Sequence, residues 1–231
     1  MARITKNQKK NIKKYNFKIS YELEEAIKII KDITYTKFNS SIDIAIKLGI
    51  NTKKTDQVVK NNIVLPHGVG KKKKILTLCT KEKEDEAKDA GSDYVGLTEY
   101  IEKIKNGWLD FDIIIAMPSV MLELGKLGKI LGPKGLMPNS KNGNITTKLE
   151  DSIKKIKKGK IFFKTDKYGI IHSSVGRISF SDKEIKKNII ELINLIIKIR
   201  PASLKGIYLK NITLSSTMSK SITIDKKNII V

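Results

Sequence analysis

The run Ile75-Leu76-Thr77-Leu78-Cys79, followed by Tyr94-Val95-Gly96 and then Ile113-Ile114-Ile115-Ala116, decides the fold. These three short segments are apolar along their length, so both faces of each strand must be buried, as in a parallel sheet covered by helices. The spacers between them are polar and of helical length. One predicts a helix near 82–90 ended by Gly91, and the other a helix near 98–106. Strands that alternate with helices imply right-handed crossovers and a three-layer, Rossmann-like α/β domain.

Working outward, Met117-Pro118 opens a further helix, since proline suits a first turn. The segment between Gly132 and Asn144, rich in Gly and Pro, is a loop. A helix over 149–158 ends at Lys158-Gly159-Lys160. Beyond both ends of this block the pattern changes. Leu23, Ile27, Ile30 and Ile33 recur at helical spacing, whereas Ile42, Ile44, Ile46 and Leu48 alternate with polar residues in a half-buried strand closed by Gly49. Ile63-Val64-Leu65 is a second strand. Alternation returns at Ile161-Phe162-Phe163 and Ile170-Ile171-His172. Ser181-Asp182-Lys183-Glu184 has the form of a capping box, and the helix it opens carries Ile185, Ile189, Leu192, Ile193 and Ile196 on one stripe. Strands over 206–215 and 221–224 follow. The expected organisation is a discontinuous α+β domain, 1–67 plus 160–231, interrupted by the α/β domain 68–159. Pro66, Gly68, Gly70 and Gly159 form a hinge near 66–70 and 158–160.

The 231 residues carry 46 Lys or Arg against 24 Asp or Glu, a net charge of +22. Such a field concentrates polyanions. Forty-three of the basic residues are lysine, and Ile and Asn are also abundant, a pattern that A/T-rich coding alone can produce. The distribution is more telling than the total. Residues 68–159 hold 18 Lys and 13 acidic residues, whereas the other 139 hold 28 basic and 11 acidic residues, which puts most of the excess on the terminal domain. The first 15 residues are a lysine-rich arm expected to order only against a partner.

A single cysteine, Cys79, cannot form an internal disulfide, and one cysteine with two histidines cannot assemble a four-ligand Cys/His zinc site. Neither a membrane-spanning run nor an apolar signal core is visible, so a cytoplasmic location is expected. Gly68-Val69-Gly70-Lys71 lacks the phosphate-loop pattern and precedes a strand rather than a helix. No nucleophile stands beside an oriented base, and His67, His172 and Cys79 are most simply structural. The expectation is therefore a protein that is not an enzyme, needs no metal or other cofactor, and takes no small-molecule substrate. Lys37-Phe38-Asn39-Ser40 places an aromatic ring beside a cation and a hydroxyl, and Ser215 to Ser221 offers hydroxyls and a methionine on a turn. Both suit contacts to looped RNA. A basic coat protein without sequence preference, and a nucleotide-dependent enzyme using the α/β domain, are the rival readings.

Several segments together resemble the ribosomal protein L-one family, the proteins of the mobile stalk of the large ribosomal subunit. They are Lys37-Phe38 before the strand 42–48; Asp56-Gln57; Leu65 to Lys71; Ala90 to Gly96; Leu127 to Asn139 with its Leu-Gly-Pro-Lys-Gly-Leu-Met-Pro text; Gly169 to His172 with Val175-Gly176; and Ser216-Thr217-Met218. The resemblance implies a split terminal domain holding the main contact to large-subunit ribosomal RNA. It also implies assistance in releasing deacylated transfer RNA from the exit site and repression of the protein's own messenger RNA. It places RNA contacts on Lys37, Phe38, Ser40 and Asp43, on Lys164, Asp166 and His172, and on Ser216, Thr217, Met218 and Ser219. Ser219 stands where the family usually has glycine, adding a Cβ where RNA is expected to approach. Ser140 likewise replaces a usual proline.

Overall fold

The computed structural model describes residues 5–226. In chain order it forms α1 (Lys6–Lys14), β1 (Ser20–Tyr21), α2 (Leu23–Ile33), β2 (Ser41–Leu48) and β3 (Lys60–Val64). Then come β4 (Ile75–Leu78), α3 (Glu84–Asp89), β5 (Tyr94–Gly96), α4 (Thr98–Lys105), β6 (Ile113–Ala116), α5 (Met121–Gly125), α6 (Gly128–Leu131) and α7 (Leu149–Lys157). The chain closes with β7 (Lys160–Lys164), β8 (Ile170–Arg177), α8 (Asp182–Lys198), β9 (Leu209–Ser216) and β10 (Ile222–Ile224). Two compact units result. One comprises the described residues up to Gly70 together with those from Ile161 onward, and the other is Lys71–Lys160.

In the terminal unit a five-stranded sheet has the order β1-β10-β9-β2-β8. It is antiparallel except where the short β1 pairs parallel to β10. The alternation of β2 has its expected effect: Ile42, Ile44, Ile46 and Leu48 are buried with the apolar stripes of α2 and α8. Both helices cover that same face, so the opposite face, carrying Asp43, Ala45 and Lys47, stays open. β3 and β7 form a separate two-stranded sheet.

Helix α8 begins with the expected capping box: the Glu184 amide donates to Ser181 Oγ, and the Ser181 amide donates to Glu184 Oε2 at 2.8 Å. Its one fully buried polar side chain is Asn188. Asn188 Nδ2 donates to the carbonyls of Gly68 (3.0 Å) and Val175 (2.8 Å), and Oδ1 accepts from the His67 amide. The Val175 bond has a clear origin. Ile42 pairs with Gly176 and Asp43 with Ser174, so Val175 is the extra residue of a bulge and lacks a ladder partner on β2.

The N-terminal arm departs from expectation. Instead of waiting for a partner it forms α1, whose end docks on α2: Asn11 Nδ2 donates to the Ile33 carbonyl, and Lys14 and Tyr15 both bond Asp32. Residues 1–4 of that arm lie outside the described residues.

The inserted unit holds a parallel sheet ordered β5-β4-β6. Successive residues alternate between its two faces. Leu76, Leu78, Ile114 and Ala116 pack with α4 to α6, and Ile75, Cys79 and Ile115 pack with α3 and α7. Cys79 is buried, and burial pushes its thiol up to about 11, which leaves it unreactive. The Gly- and Pro-rich loop returns to the sheet where Ile145 bridges Ala116.

The boundary between units falls after Gly70 and after Lys160, slightly later than the sequence puts it. Gly68, Gly70 and Gly159 all have positive φ (66°, 73° and 99°), a region open chiefly to glycine. At Gly70 a Cβ would come within 2.8 Å of Arg177 Cγ and 3.0 Å of the Phe180 ring. Pro66 is exposed just before them.

Candidate nucleic-acid interface

The open face of the five-stranded sheet is a grid of small polar groups fixed by strand register. Asp43 lies between Ser174 and Ser215, Ala45 between His172 and Thr213, and Lys47 between Ile170 and Asn211. The middle row continues through Thr223 to Ser20. Asp43, Ala45, His172, Ser173, Ser174 and Ser215 line an open depression of about 440 Å³. Short side chains here let a flat ligand reach the strands closely.

The end of this face is framed by two loops. Phe38 is 57% exposed, and its loop is pinned from below: Arg177 Nη1 donates to the Asn39 carbonyl, and Asn39 Nδ2 donates to Ser179 Oγ. Beside it the turn Ser216-Thr217-Met218-Ser219 is tied to β2 by the Thr217 amide donating to the Ser41 carbonyl. Met218 is 64% exposed and takes φ of +70°, the one positive φ among the described non-glycine residues. Holding a long side chain there costs on the order of 1 kcal/mol.

Ser219 is not the strained residue of that turn. Its amide donates to the Ser216 carbonyl at 3.0 Å, and its hydroxyl accepts from the Ser216 amide at 2.8 Å, closing the turn. The added Cβ therefore brings a hydroxyl that secures the turn. Ser40 and Ser216, singled out in the sequence, are buried; their hydroxyls bond Thr36 and Thr34 respectively. They hold the two loops from beneath and present no side chain to solvent. Lys37 and Thr217 are exposed.

On the other flank, β7 leads into β8 through a hairpin closed where Thr165 bridges Ile171. Asp166 Oδ1 accepts from the amides of Ile170 (2.8 Å) and Tyr168 (2.9 Å), and Oδ2 lies 3.5 Å from His172 Nε2. Those backbone donors, the Ile170 amide foremost, hold the Asp166 carboxyl below the usual carboxylate range. It stays ionised and orients His172, which is exposed toward the depression. Lys164 is exposed on the same hairpin.

The sequence profile of the ribosomal protein L1p/L10e family matches residues 29–220, which span the Phe38 loop, β2, the β7–β8 hairpin, β9 and the Ser216–Ser219 turn. The chain belongs to that family. It is 54% identical over 225 residues to the large ribosomal subunit protein uL1 of Amoebophilus asiaticus, covering 97% of each chain. It is 51% identical over 229 residues to that of Phocaeicola vulgatus, covering 99% of each. The L1p/L10e family consists of ribosomal proteins, which are structural components rather than enzymes. Among the described residues no His, Cys, Asp or Glu cluster could hold a metal ion, and no helix is long and apolar enough to cross a membrane.

Sequence reasoning missed part of this candidate surface. Ala45 and Lys47 were within reach, because they fall in the polar phase of the β2 alternation. Thr213 and Ser174 were not, since only the tertiary register places them beside Ala45 and Asp43.

Proposed function

We propose that the terminal unit grips a folded element of large-subunit ribosomal RNA, at the mobile stalk of the ribosome, with its open sheet face. The observation that carries this reading is the grid of short polar side chains around Asp43, Ala45 and His172, flanked by exposed Phe38 and Met218. Serine and threonine hydroxyls can meet riboses at close range. The Asp43 carboxylate can accept from a 2′-hydroxyl or a base amino group, a contact that a mere polyanion coat would avoid. Phe38 and Met218 offer apolar surface for unstacked bases, and Lys37, Lys47 and Lys164 neutralise phosphates. Asp166 serves by orienting His172.

The same interface would take the mimic of that site in the protein's own messenger RNA and so repress its translation. Pro66, Gly68, Gly70 and Gly159 act as the hinge between the split RNA-binding domain and the inserted one. Motion there accompanies release of deacylated transfer RNA from the exit site of the cytoplasmic ribosome. The shared family with large-subunit relatives supports these steps.

Filter binding of a large-subunit ribosomal RNA fragment against a scrambled transcript, at physiological salt, tests the reading. Thr217→Val or Met218→Asp is expected to weaken specific binding by about 1–3 kcal/mol, more than neutralising any one terminal-unit lysine. Equal losses for the two kinds of change, or equal affinity for the scrambled transcript, would overturn it.

A further inference from the structure

We propose that the inserted unit carries a second, separate RNA contact, a stacking site for one unpaired nucleobase built from Tyr94, Tyr100 and Trp108. These rings, with Lys103 and Asn106, line an open depression of about 420 Å³, ample for one base. Tyr94 meets Trp108 edge to face at 5.0 Å between centroids, and Tyr100 lies 5.5 Å from Trp108 and 6.0 Å from Tyr94. All three are half-buried.

The site is held by the end of α4. The Trp108 amide donates to the Lys103 carbonyl and the Gly107 amide to the Ile104 carbonyl, with Gly107 at φ of +93°. This closing turn folds Trp108 back beside Tyr100 and Lys103, which lie one helical turn apart. Buried Phe111 backs the indole at 5.4 Å. The rings are thus fixed before any ligand arrives.

The chemistry selects a base with its phosphate. A cationic ligand is disfavoured, because Lys103 Nζ already stands 4.8 Å above the Tyr100 ring and the chain carries +22. A base can stack on the exposed ring faces, Lys103 can meet the phosphate, and the Asn106 amide can both donate to and accept from a base edge. Duplex RNA offers no free base face and would not fit.

Trp108 is the only tryptophan, so its emission reports on this site alone, whatever the terminal unit binds. The full chain is titrated with short single-stranded oligoadenylate at physiological salt. Saturable quenching is expected, about tenfold weaker for Tyr100→Leu. It should also be weaker for Lys103→Ala, an exposed position where the fold is retained. Binding of the ribosomal RNA fragment should be unchanged in both variants, which separates this test from that of the terminal unit. The proposal is overturned by an absence of saturable quenching or by quenching undiminished in both variants. It is equally overturned if a duplex of the same length or adenosine monophosphate quenches as strongly, or if a proline-rich peptide binds more tightly.

Discussion

Replacing Asn188 by alanine should cost the protein about 2–4 kcal/mol, with almost no change in its surface. The side chain is fully buried and makes three hydrogen bonds, and their worth differs. The Val175 carbonyl has no ladder partner on β2, so leaving it unpaired in the core costs about 1–3 kcal/mol. The His67 amide and the Gly68 carbonyl lie nearer solvent, and water can take over, for a loss of about 0.5–1 kcal/mol each. A small cavity adds to this, and removing a buried amide that no longer needs desolvating offsets part of it. Urea unfolding followed by far-ultraviolet circular dichroism should show a midpoint lowered by about 1–2 M, taking a slope near 2 kcal/mol per molar. Asn188→Asp sharpens the test. Its oxygens cannot donate while ionised, and burial against the Gly68 and Val175 carbonyls, with only the His67 amide to donate to it, raises the folded pKa of the new carboxyl. Its defect should be full at neutral pH and shrink as pH falls through that raised value. A loss below about 0.5 kcal/mol for Asn188→Ala, within the range of ordinary surface changes, would refute the account of the bulge.

Two further outcomes follow from packing and charge. Gly49→Ala should destabilise by about 2 kcal/mol or more, measured by the same urea titration, because its Cβ would stand 2.1 Å from the Ile207 carbonyl oxygen and force β2 from β9. Asp166 has a folded pKa below its unfolded one, so it stabilises the protein above about pH 4 and loses that contribution as pH falls through the lower, folded value. Thermal unfolding of Asp166→Asn should therefore be less stable than the parent at neutral pH, with the difference closing on acidification; a constant difference would contradict the bonding described.

The parts of the fold that were legible are those written as periodicity. The stripe of α2, the alternation of β2 and the three apolar strands of the inserted unit sit within a residue or two of where the sequence puts them. The capping box of α8 was legible because its two residues are local. β1 was not: two residues, Ser20 and Tyr21, have no period, and they become a strand only because β10 lies alongside. α1 was misjudged for a related reason. Its lysines read as a solvated arm, while the bonds from Asn11, Lys14 and Tyr15 that anchor it are to residues 17–22 positions away. At the candidate interface Phe38 and Met218 are exposed, and the burial of Ser40 and Ser216 could not be foreseen. A serine carries no hydropathy signal to say which way it points.

The outer border of the five-stranded sheet has one more consequence. β1 leaves only two residues of backbone at that border, and the Asp225 amide is already spent on the Tyr21 carbonyl. A second molecule would find almost no free strand to extend, so crowding many copies together should not seed cross-molecular sheets from this side.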